Sequence, residues 1–513
     1  MLNCIFVSST SACFEWQNDK PYYSEKEYTV LIDNNEVFCG NTNVFSLFDL
    51  KPDTEYNLTI KDSDTALVFK TLSETAAVSV KDFGAVGDGV TDDSLACQSA
   101  VNCLPKGGRL YFPKGVYVVS PINLKSHMTL ELAEGATILG IADKSRYPKL
   151  PGEIYDINTG ESVHIGTWEG NAVPMHQALI FSEYAEDITI IGRGVIDGNA
   201  QNAGWWIDVS KYEYARPRLM FFNRCDNVHI HGITVKNSAS WHLHPYFSSN
   251  IDFLDVEIQA PSRSPNTDAI DPEACDVVNI IGCRFSVGDD CIAIKSGKID
   301  LGRKYKKPAN RHTVRNCYMR SGHGGVTLGS EISGGVTNLT VNRCVFCDTD
   351  RGLRIKTRRG RGKDCKIDGI TFENIQMSRV GVPIVINMYY NCCDPDRHSE
   401  YVWSRKQLPV DDRTPYLGDF VFRNMNCEKC RVAAIFCDGL PEMPINSITL
   451  ENISFDFDEN ANPGQPASQD FLEDKCRLGL YAKNIGTLTL KKVDIKGQLG
   501  DELITENVKV VTE

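Results

Sequence analysis

The 513-residue chain contains no apolar run that approaches the roughly 20 residues of a membrane-spanning helix. Residues 1–20 also lack the basic start and uninterrupted apolar stretch of a secretory signal. We therefore expect no membrane partner and a cytoplasmic location, or a secreted or periplasmic one if a leader has been removed. Positive charge is scarce as well, because 54 Lys and Arg residues stand against 67 Asp and Glu, giving a net charge of −13. This balance repels polyanions at long range, so we expect no nucleic-acid partner.

A disulfide framework is also missing, although the chain has 19 cysteines. The count is odd, and Cys283, Cys317 and Cys344 occupy positions where neighbouring segments have Ile or Val. We interpret them as small buried hydrophobic residues, and many unpaired thiols are typical of a reducing compartment. Cys-x-x-Cys spacing at 344–347 and 427–430 resembles zinc-ligand spacing. Because Cys344 belongs to an inward row, however, we expect no metal site.

Four short segments share one alternating pattern: NTDAIDPE (266–273), GDDCIAIKS (288–296), GHGGVTLGS (322–330) and DRGLRIKT (350–357). Alignment on Asp268, Asp290, Gly324 and Arg351 produces two apolar rows, which are Ile270, Ile292, Val326 and Leu353, then Pro272, Ile294, Leu328 and Ile355. The residues between these rows face the other way, as alternation along a β-strand requires. One short strand repeated at such intervals is typical of a solenoid, here an all-β protein with a parallel β-helix.

The pattern extends in both directions along the chain. WHLHP (241–245) fits one coil earlier and places His244 beside Asp271, while PIVINMYY (383–390) fits one coil later and places Tyr389 at the end of its strand. Unrelated strands of a β-sandwich would not keep apolar rows in register through insertions. We therefore predict a β-helix over residues 78–513, closed at its N-terminal end by a helix that starts near Asp92.

Residues 1–74 do not follow the coil pattern. Short segments such as 28–32, 49–60 and 66–71 have the spacing of antiparallel strands in a sandwich. The arrangement of Leu50, Pro52 and Tyr56 resembles the tyrosine corner of fibronectin type III domains. The sequence thus predicts a small N-terminal β-sandwich domain, which we expect to be a structural module docked against the solenoid.

The aligned column brings three carboxylates together. Asp268 and Asp290 occupy equivalent positions one coil apart, and Asp289 adjoins Asp290. Neighbouring negative charges raise each other's pKa, so one acid can stay protonated while another is ionised, as glycoside hydrolysis requires. His323 lies level with Asp289 and can tune that acid. The alternative is that these Asp residues only cap turns, which does not account for their grouping with His, Arg and Lys.

Basic residues in the same column predict an acidic substrate. Arg354 and Lys356 lie two apart on one strand, so they share a face while Ile355 packs inward. A uronate sugar is the kind of ligand that this pair would bind, and Lys295 lies in the same outward row as Lys356. The basic runs 295–311 and 354–363 leave the column from the ends of its strands.

The motifs at 266–268, 288–290, 322–324 and 354–356 resemble the four signature motifs of the polygalacturonases, the family 28 glycoside hydrolases, in family order. The resemblance covers roughly 78–513 and implies a right-handed, pectin lyase-like β-helix. It also implies hydrolysis of α-1,4-galacturonosyl bonds with inversion and without a metal or other cofactor. In this family's terms, Asp289 is the general acid, Asp268 and Asp290 activate the water, and His323 supports the acid.

The resemblance also implies that Arg354 and Lys356 hold the substrate carboxylate and that Tyr389 binds galacturonan, the expected acidic partner. From their places in the aligned column, we expect His244 and Lys295 to bind this substrate as well. Tyr389 matches less well, since Asn387 and Met388 replace the family's usual Gln–Asp. An exo-acting enzyme of pectin degradation is favoured by three features. The N-terminal domain and the WHLHP segment resemble those of bacterial exo-polygalacturonases, and the long basic loop 297–311 can close the cleft.

Alternatives from the same fold remain at this stage. Endo-polygalacturonase action and hydrolysis of rhamnogalacturonan or xylogalacturonan are the closest enzymatic ones. A pectate lyase would eliminate instead of hydrolysing, usually with Ca²⁺, and would release an unsaturated product. A non-catalytic saccharide-binding β-helix would bind without turnover.

Overall fold

The computed structural model describes residues 1–157, 160–391 and 398–513. These residues form a small N-terminal β domain followed by a long parallel β-helix. Across those ranges, no helix is both long enough and apolar enough to cross a membrane. The strands and their parallel pairing confirm the predicted all-β class and solenoid.

The N-terminal domain consists of two antiparallel sheets. One sheet contains Leu2–Val7, Ala12–Trp16 and Val44–Leu47, and the other contains Asn35–Thr42, Tyr23–Ile32, Glu55–Ile60 and Ala66–Lys70. Phe14, Val30 and Leu58 are fully buried between them. The Tyr56 hydroxyl accepts a hydrogen bond of 2.8 Å from the backbone N–H of Lys51, which is the contact of a tyrosine corner. The predicted small β domain is present, and its fibronectin type III resemblance stays a prediction.

The β-helix has three faces of parallel strands, here called first, second and third in the order in which the chain visits them. The first face contains Ala77–Ser79, Gly108–Phe112, Met128–Leu132, Glu186–Gly192, Asp226–His231, Ser249–Leu254, Asp276–Ile281, Ala309–Arg315 and Val336–Asn342. The second face contains Asp88–Asp92, Gly115–Val119, Ala136–Gly140, Val195–Asp197, Thr234–Lys236, Glu257–Gln259, Arg284–Ser286, Tyr318–Gly322 and Val345–Thr349. The third face contains Ile122–Asn123, Ile180–Glu183, Met220–Asn223, Leu243–Tyr246, Ile292–Ile294, Val326–Gly329, Arg351–Lys356, Val382–Asn387 and Ala433–Asp438.

Toward the C-terminus, long strands continue from one face to the next: Lys366–Ser378, Asp419–Cys430, Ile445–Phe457, Leu478–Lys496 and Leu503–Thr512, with the short strand Tyr416–Leu417 between the first two. Three short hairpins leave the solenoid, pairing Lys149–Leu150 with Met175–His176, Glu153–Asp156 with Glu161–His164, and Thr167–Trp168 with Asn171–Ala172. The α-helices are Ser94–Cys103, Ala200–Ala203, Ile299–Tyr305 and Glu400–Trp403. The first of these covers the N-terminal end of the core, as predicted near Asp92.

One continuous apolar core fills the solenoid. Cys283, Cys317 and Cys344 have no exposed surface, which confirms their interpretation as small buried hydrophobic residues. All 17 cysteines within the described ranges are free.

Asparagine explains the sharp corner between the first and second faces. Asn374, Asn424 and Asn452 adopt positive φ angles of 53–56°, a region that Asn tolerates better than most residues. The Asn452 side-chain amide donates to Asn424 Oδ1 at 2.8 Å, and Asn424 donates to Asn374 Oδ1 at 3.2 Å. This ladder links three successive coils toward the C-terminus and holds them in register.

Candidate active site

The third face assembles the predicted column in the predicted register. Ile292 pairs with Ile270 on the preceding coil and with Val326 on the next one. Val326 pairs in turn with Leu353, and Leu353 with Ile384. These side chains are fully buried, so the residues that precede and alternate with them are directed outward.

Three carboxylates meet at the top of this column. Asp268, Asp289 and Asp290 each place one carboxylate oxygen within 4.8 Å of the other two. Asp290 is fully buried and Asp268 nearly so, while the Asp289 side chain is 23% exposed. Gly324 faces Asp290 on the next coil, where a Cβ atom would lie 2.7 Å from Asp290 Oδ1. Glycine at 324 therefore leaves the space that the Asp290 carboxylate occupies.

Two cations bind the Asp290 carboxylate. Lys356 Nζ donates to Oδ2 at 2.8 Å, and Arg354 donates to Oδ1 at 3.2 Å. Burial alone would raise the pKa of Asp290, but Lys356 and Arg354 hold it well below the usual range. Asp290 is therefore the ionised acid of the group. The sequence predicted that this Arg–Lys pair binds a substrate carboxylate, and the structure adds a contact with Asp290 that the prediction lacked.

Asp268 has the opposite environment. Its Oδ1 atom is buried without a hydrogen-bond partner, and burial, followed by the charges of Asp289 and Asp271, raises its pKa well above the usual value. Asp268 thus keeps a proton at pH values where Asp290 is charged. The column separates the pKa values of its acids, as expected for an acid–base site.

His323 lies beside Asp289 at the solvent-facing edge of the column. Its Nδ1 atom is 3.4 Å from Asp289 Oδ1, and its side chain is half exposed. A hydrogen bond to Asp289 raises the pKa of His323, because the carboxylate stabilises the imidazolium. The predicted pairing of this histidine with the acid is present.

Lys295 and His244 lie deeper than the sequence suggested. Lys295 Nζ is 3.1 Å from Glu331 Oε2, 3.5 Å from Asp271 Oδ1 and 4.2 Å from the ring centroid of Trp241. His244 has no exposed surface, and its Nε2 atom is 3.1 Å from Glu273 Oε2. Its ring contacts Trp241 edge-on at 4.9 Å. His244 therefore packs against the Trp241 indole ring, and its role in substrate binding stays a prediction.

Trp241 is a site residue that sequence reasoning missed. Leu243 pairs with Ile270, so Trp241 lies level with Asp268 on the preceding coil. The same register that identified Asp268 could have identified it, although an outward aromatic residue alone does not indicate a site. Glu331 was also missed because it follows the end of its strand; Lys295 and Lys356 oppose the effect of burial and lower its pKa to about 2.

Two tyrosines follow the strand Val382–Asn387. Met388 is fully buried, and Tyr389 packs beneath the Arg405 guanidinium, which lies 3.6 Å from the ring centroid. Tyr390 is the residue that approaches the column, with Lys356 Nζ 5.8 Å from its ring centroid. The change of direction after the strand brings the second tyrosine to the site, and substrate contact by Tyr389 remains a prediction.

A wall lies beside the column, formed by the insertion 297–311 and the hairpins at 149–176. The predicted loop 297–311 contains the helix Ile299–Tyr305, which packs on the hairpins at 149–176. The Lys298 backbone N–H donates to the Gly170 carbonyl at 2.9 Å, and the Tyr305 ring contacts His164 edge-on at 5.4 Å. Trp168 on the last hairpin lies almost parallel to Trp241, with centroids 6.2 Å apart.

Comparison with known proteins agrees with this geometry. The sequence model of the glycosyl hydrolases family 28 matches residues 156–400, and that of the rhamnogalacturonase A/epimerase, pectate lyase-like group matches 77–132. A probable polygalacturonase of Vitis vinifera is 32% identical over 403 residues, which cover 76% of each chain.

Two solved structures resemble most or nearly all of this chain. An exopolygalacturonase from Thermotoga maritima is 28% identical with a TM-score of 0.62, covering 85% of this chain and 91% of that one. The family 28 exopolygalacturonase of Yersinia enterocolitica has a TM-score of 0.74 and covers 99% of this chain and 98% of its own. At 19% identity, it supports the fold alone. On the sequence similarity and the four motifs together, the chain belongs to family 28 of the glycosyl hydrolases.

Proposed function

We propose that this glycosidase hydrolyses α-1,4-galacturonosyl bonds of polygalacturonate and oligogalacturonides from a chain end. The observation that carries the proposal is the column in which Asp268, Asp289 and Asp290 meet Arg354 and Lys356. Acids divided between protonated and ionised forms support glycoside hydrolysis, and the two cations support a uronate substrate. The family's polygalacturonases support the same substrate class.

The chemistry follows from the placement of the acids. Asp289, beside His323, takes up the proton that Asp268 holds and gives it to the glycosidic oxygen as the bond to the anomeric carbon breaks. Asp290 is ionised and accepts a proton from the water whose oxygen bonds to that carbon. The buried carboxyl of Asp268 lies beside both acids and can return a proton to the site. In this scheme water attacks directly, with inversion and no covalent intermediate.

Attack at a chain end is supported by the wall on the N-terminal side. In this proposal the bound chain ends against Trp168 and Trp241, whose stacked rings lie on the N-terminal side of the column. The Thermotoga maritima relative is described as an exopolygalacturonase, which favours the same mode of action.

Product analysis on polygalacturonate tests the proposal. We expect saturated mono- or digalacturonate from the first minutes, each cut adding one water. Asp289→Asn serves as the inactive control. Unsaturated, ultraviolet-absorbing products would indicate a lyase. Turnover of rhamnogalacturonan or xylogalacturonan but not of polygalacturonate would assign another substrate.

A further inference from the structure

The row of residues that contains Asp289 continues beyond the active site toward the C-terminus. His323 follows it on the next coil, and Asp350 and Gly381 follow on the two after that, as their backbone pairing requires. Neighbouring strands lie about 4.8 Å apart. The row therefore forms a path that leads from the general acid along the outside of the solenoid.

This path leads into a cavity of about 320 Å³. Asp350, Arg351 and Arg431 line it from the solenoid, and the loop that contains Gly464 and Gln465 lines it from the other side. Gly381 forms part of its floor, where a Cβ atom would lie 3.6 Å from an Arg431 guanidinium nitrogen. A Cβ atom there would also lie 2.4 Å from the Asp350 carbonyl oxygen, so the close approach of these two coils requires glycine at 381.

Positive charge exceeds negative charge among the lining residues. Asp350 lies 3.8 Å from the Arg351 guanidinium and 3.9 Å from that of Arg431, so one carboxylate faces two cations at long ion-pair distances. The Nε atom of Arg431 is buried without a hydrogen-bond partner, although the side chain as a whole is 39% exposed.

Positive charge also exceeds negative charge around Arg351. Its side chain is only 16% exposed and donates to the Gln465 carbonyl at 2.6 Å. Burial, together with the nearby charge of Arg354, lowers the pKa of Arg351 to about 10. An additional anion in the cavity would relieve this repulsion.

We propose that Arg351 and Arg431 bind the carboxylate of a uronate unit that lies beyond the pair of sugars at the cleaved bond, on the C-terminal side of the column. The proposal rests on the proposed function for its ligand. Arg354 and Lys356 already contact Asp290 and are proposed to bind the sugar at the cleaved bond. The cavity begins at Asp350, two coils beyond Asp289. Guanidinium–carboxylate hydrogen bonds are charge-assisted and stronger than those to neutral groups, so the cavity selects a free acid over a methyl ester.

Calorimetry on the inactive Asp289→Asn protein tests this assignment without turnover. Tetragalacturonate and its methyl-esterified form are titrated into that protein with and without Arg431→Ala. Loss of a charge-assisted hydrogen bond is expected to weaken binding of the free acid by about tenfold or more. The ester is expected to bind both proteins equally, because it lacks the charge that Arg431 pairs with.

Arg379→Ala is the matched control. It removes the same charge from an exposed arginine that pairs with Asp348 outside the cavity, and we expect it to change neither affinity. Arg431→Gln repeats the test with a side chain of similar length, and circular dichroism checks folding. Equal affinity of the parent and both Arg431 variants for the free acid, or equal losses for acid and ester, would overturn the proposal. Hydrolysis of polygalacturonate by the wild-type protein tests the proposed function separately, so the two can fail independently.

Discussion

At the scale of single residues, the site depends on the different neighbours of chemically identical acids. Asp290 is held ionised by Lys356 and Arg354, whereas Asp268 has no such partner and is flanked by other acids. A shift of one pKa unit corresponds to about 1.4 kcal/mol between the two protonation states. The two cations therefore set the protonation of the site, in addition to the substrate binding that we propose for them.

The mutation Lys356→Met tests this dual role. Removing the cation lets the pKa of Asp290 rise, so the ionised form is available only at higher pH. The acid limb of the kcat/KM profile is then expected to move to higher pH, in addition to a drop in its plateau. If the plateau falls while the acid limb stays in place, Lys356 acts on substrate binding and does not set the pKa of Asp290.

Asp289→Asn removes the proposed proton donor. We expect the hydrolysis rate to fall by about 10²–10⁴-fold, the usual contribution of general acid catalysis, with unchanged circular dichroism. Oligogalacturonide binding is expected to persist because Arg354 and Lys356 keep their positions beside Asp290. Retention of more than a tenth of the wild-type rate would exclude Asp289 as the acid.

At the scale of elements, the insertion between two coils of the third face is the part that we propose shapes the cleft. The sequence predicted a basic loop at 297–311, but the structure has the helix Ile299–Tyr305 within it. Asp300 in the first turn and Arg303 and Lys304 in the last turn complement the helix dipole. The helix was not predicted because seven residues carry too little periodicity to distinguish it from a loop.

Replacement of residues 299–309 by a tight turn tests the wall. Without the helix, the hairpins at 149–176 lose their support and the N-terminal end of the cleft opens. The variant is expected to release longer oligomers than the wild type, which chromatography of early products measures. An unchanged product distribution would mean that the helix does not determine where the chain is cut.

At the scale of the whole molecule, the β-helix and its column follow from the sequence because the repeat sets both. Alternation and register placed Asp268, Asp290 and Arg354 on one outward surface without any knowledge of distances. A hairpin that leaves the solenoid does not follow the repeat of its coils. Nothing in the sequence therefore indicated that Trp168, on such a hairpin, would lie against Trp241. The direction of the chain after Asn387 depends on packing beneath Arg405, so the sequence alone did not indicate that Tyr390 approaches the column.

The N-terminal domain docks on the corners of the solenoid, away from the column. Glu15 is buried there and accepts hydrogen bonds from Arg315 and Asn316. Glu15→Ala leaves these donors without their acceptor, so we expect the free energy of unfolding to fall by about 1–3 kcal/mol, measured by urea denaturation. Glu25→Ala, at an exposed ion pair with Lys20, is the control and is expected to change little. Equal stability of the two variants would contradict an energetic role for the Glu15 contact.

Viscosity followed against newly formed reducing ends tests whether this enzyme shortens polygalacturonate from an end. Cleavage at a chain end leaves the long molecules nearly intact. For the proposed exo action we therefore expect viscosity to fall slowly while reducing ends accumulate, with mono- or digalacturonate as the early product. A steep fall in viscosity at a low degree of cleavage would show cutting within the chain and exclude exo action.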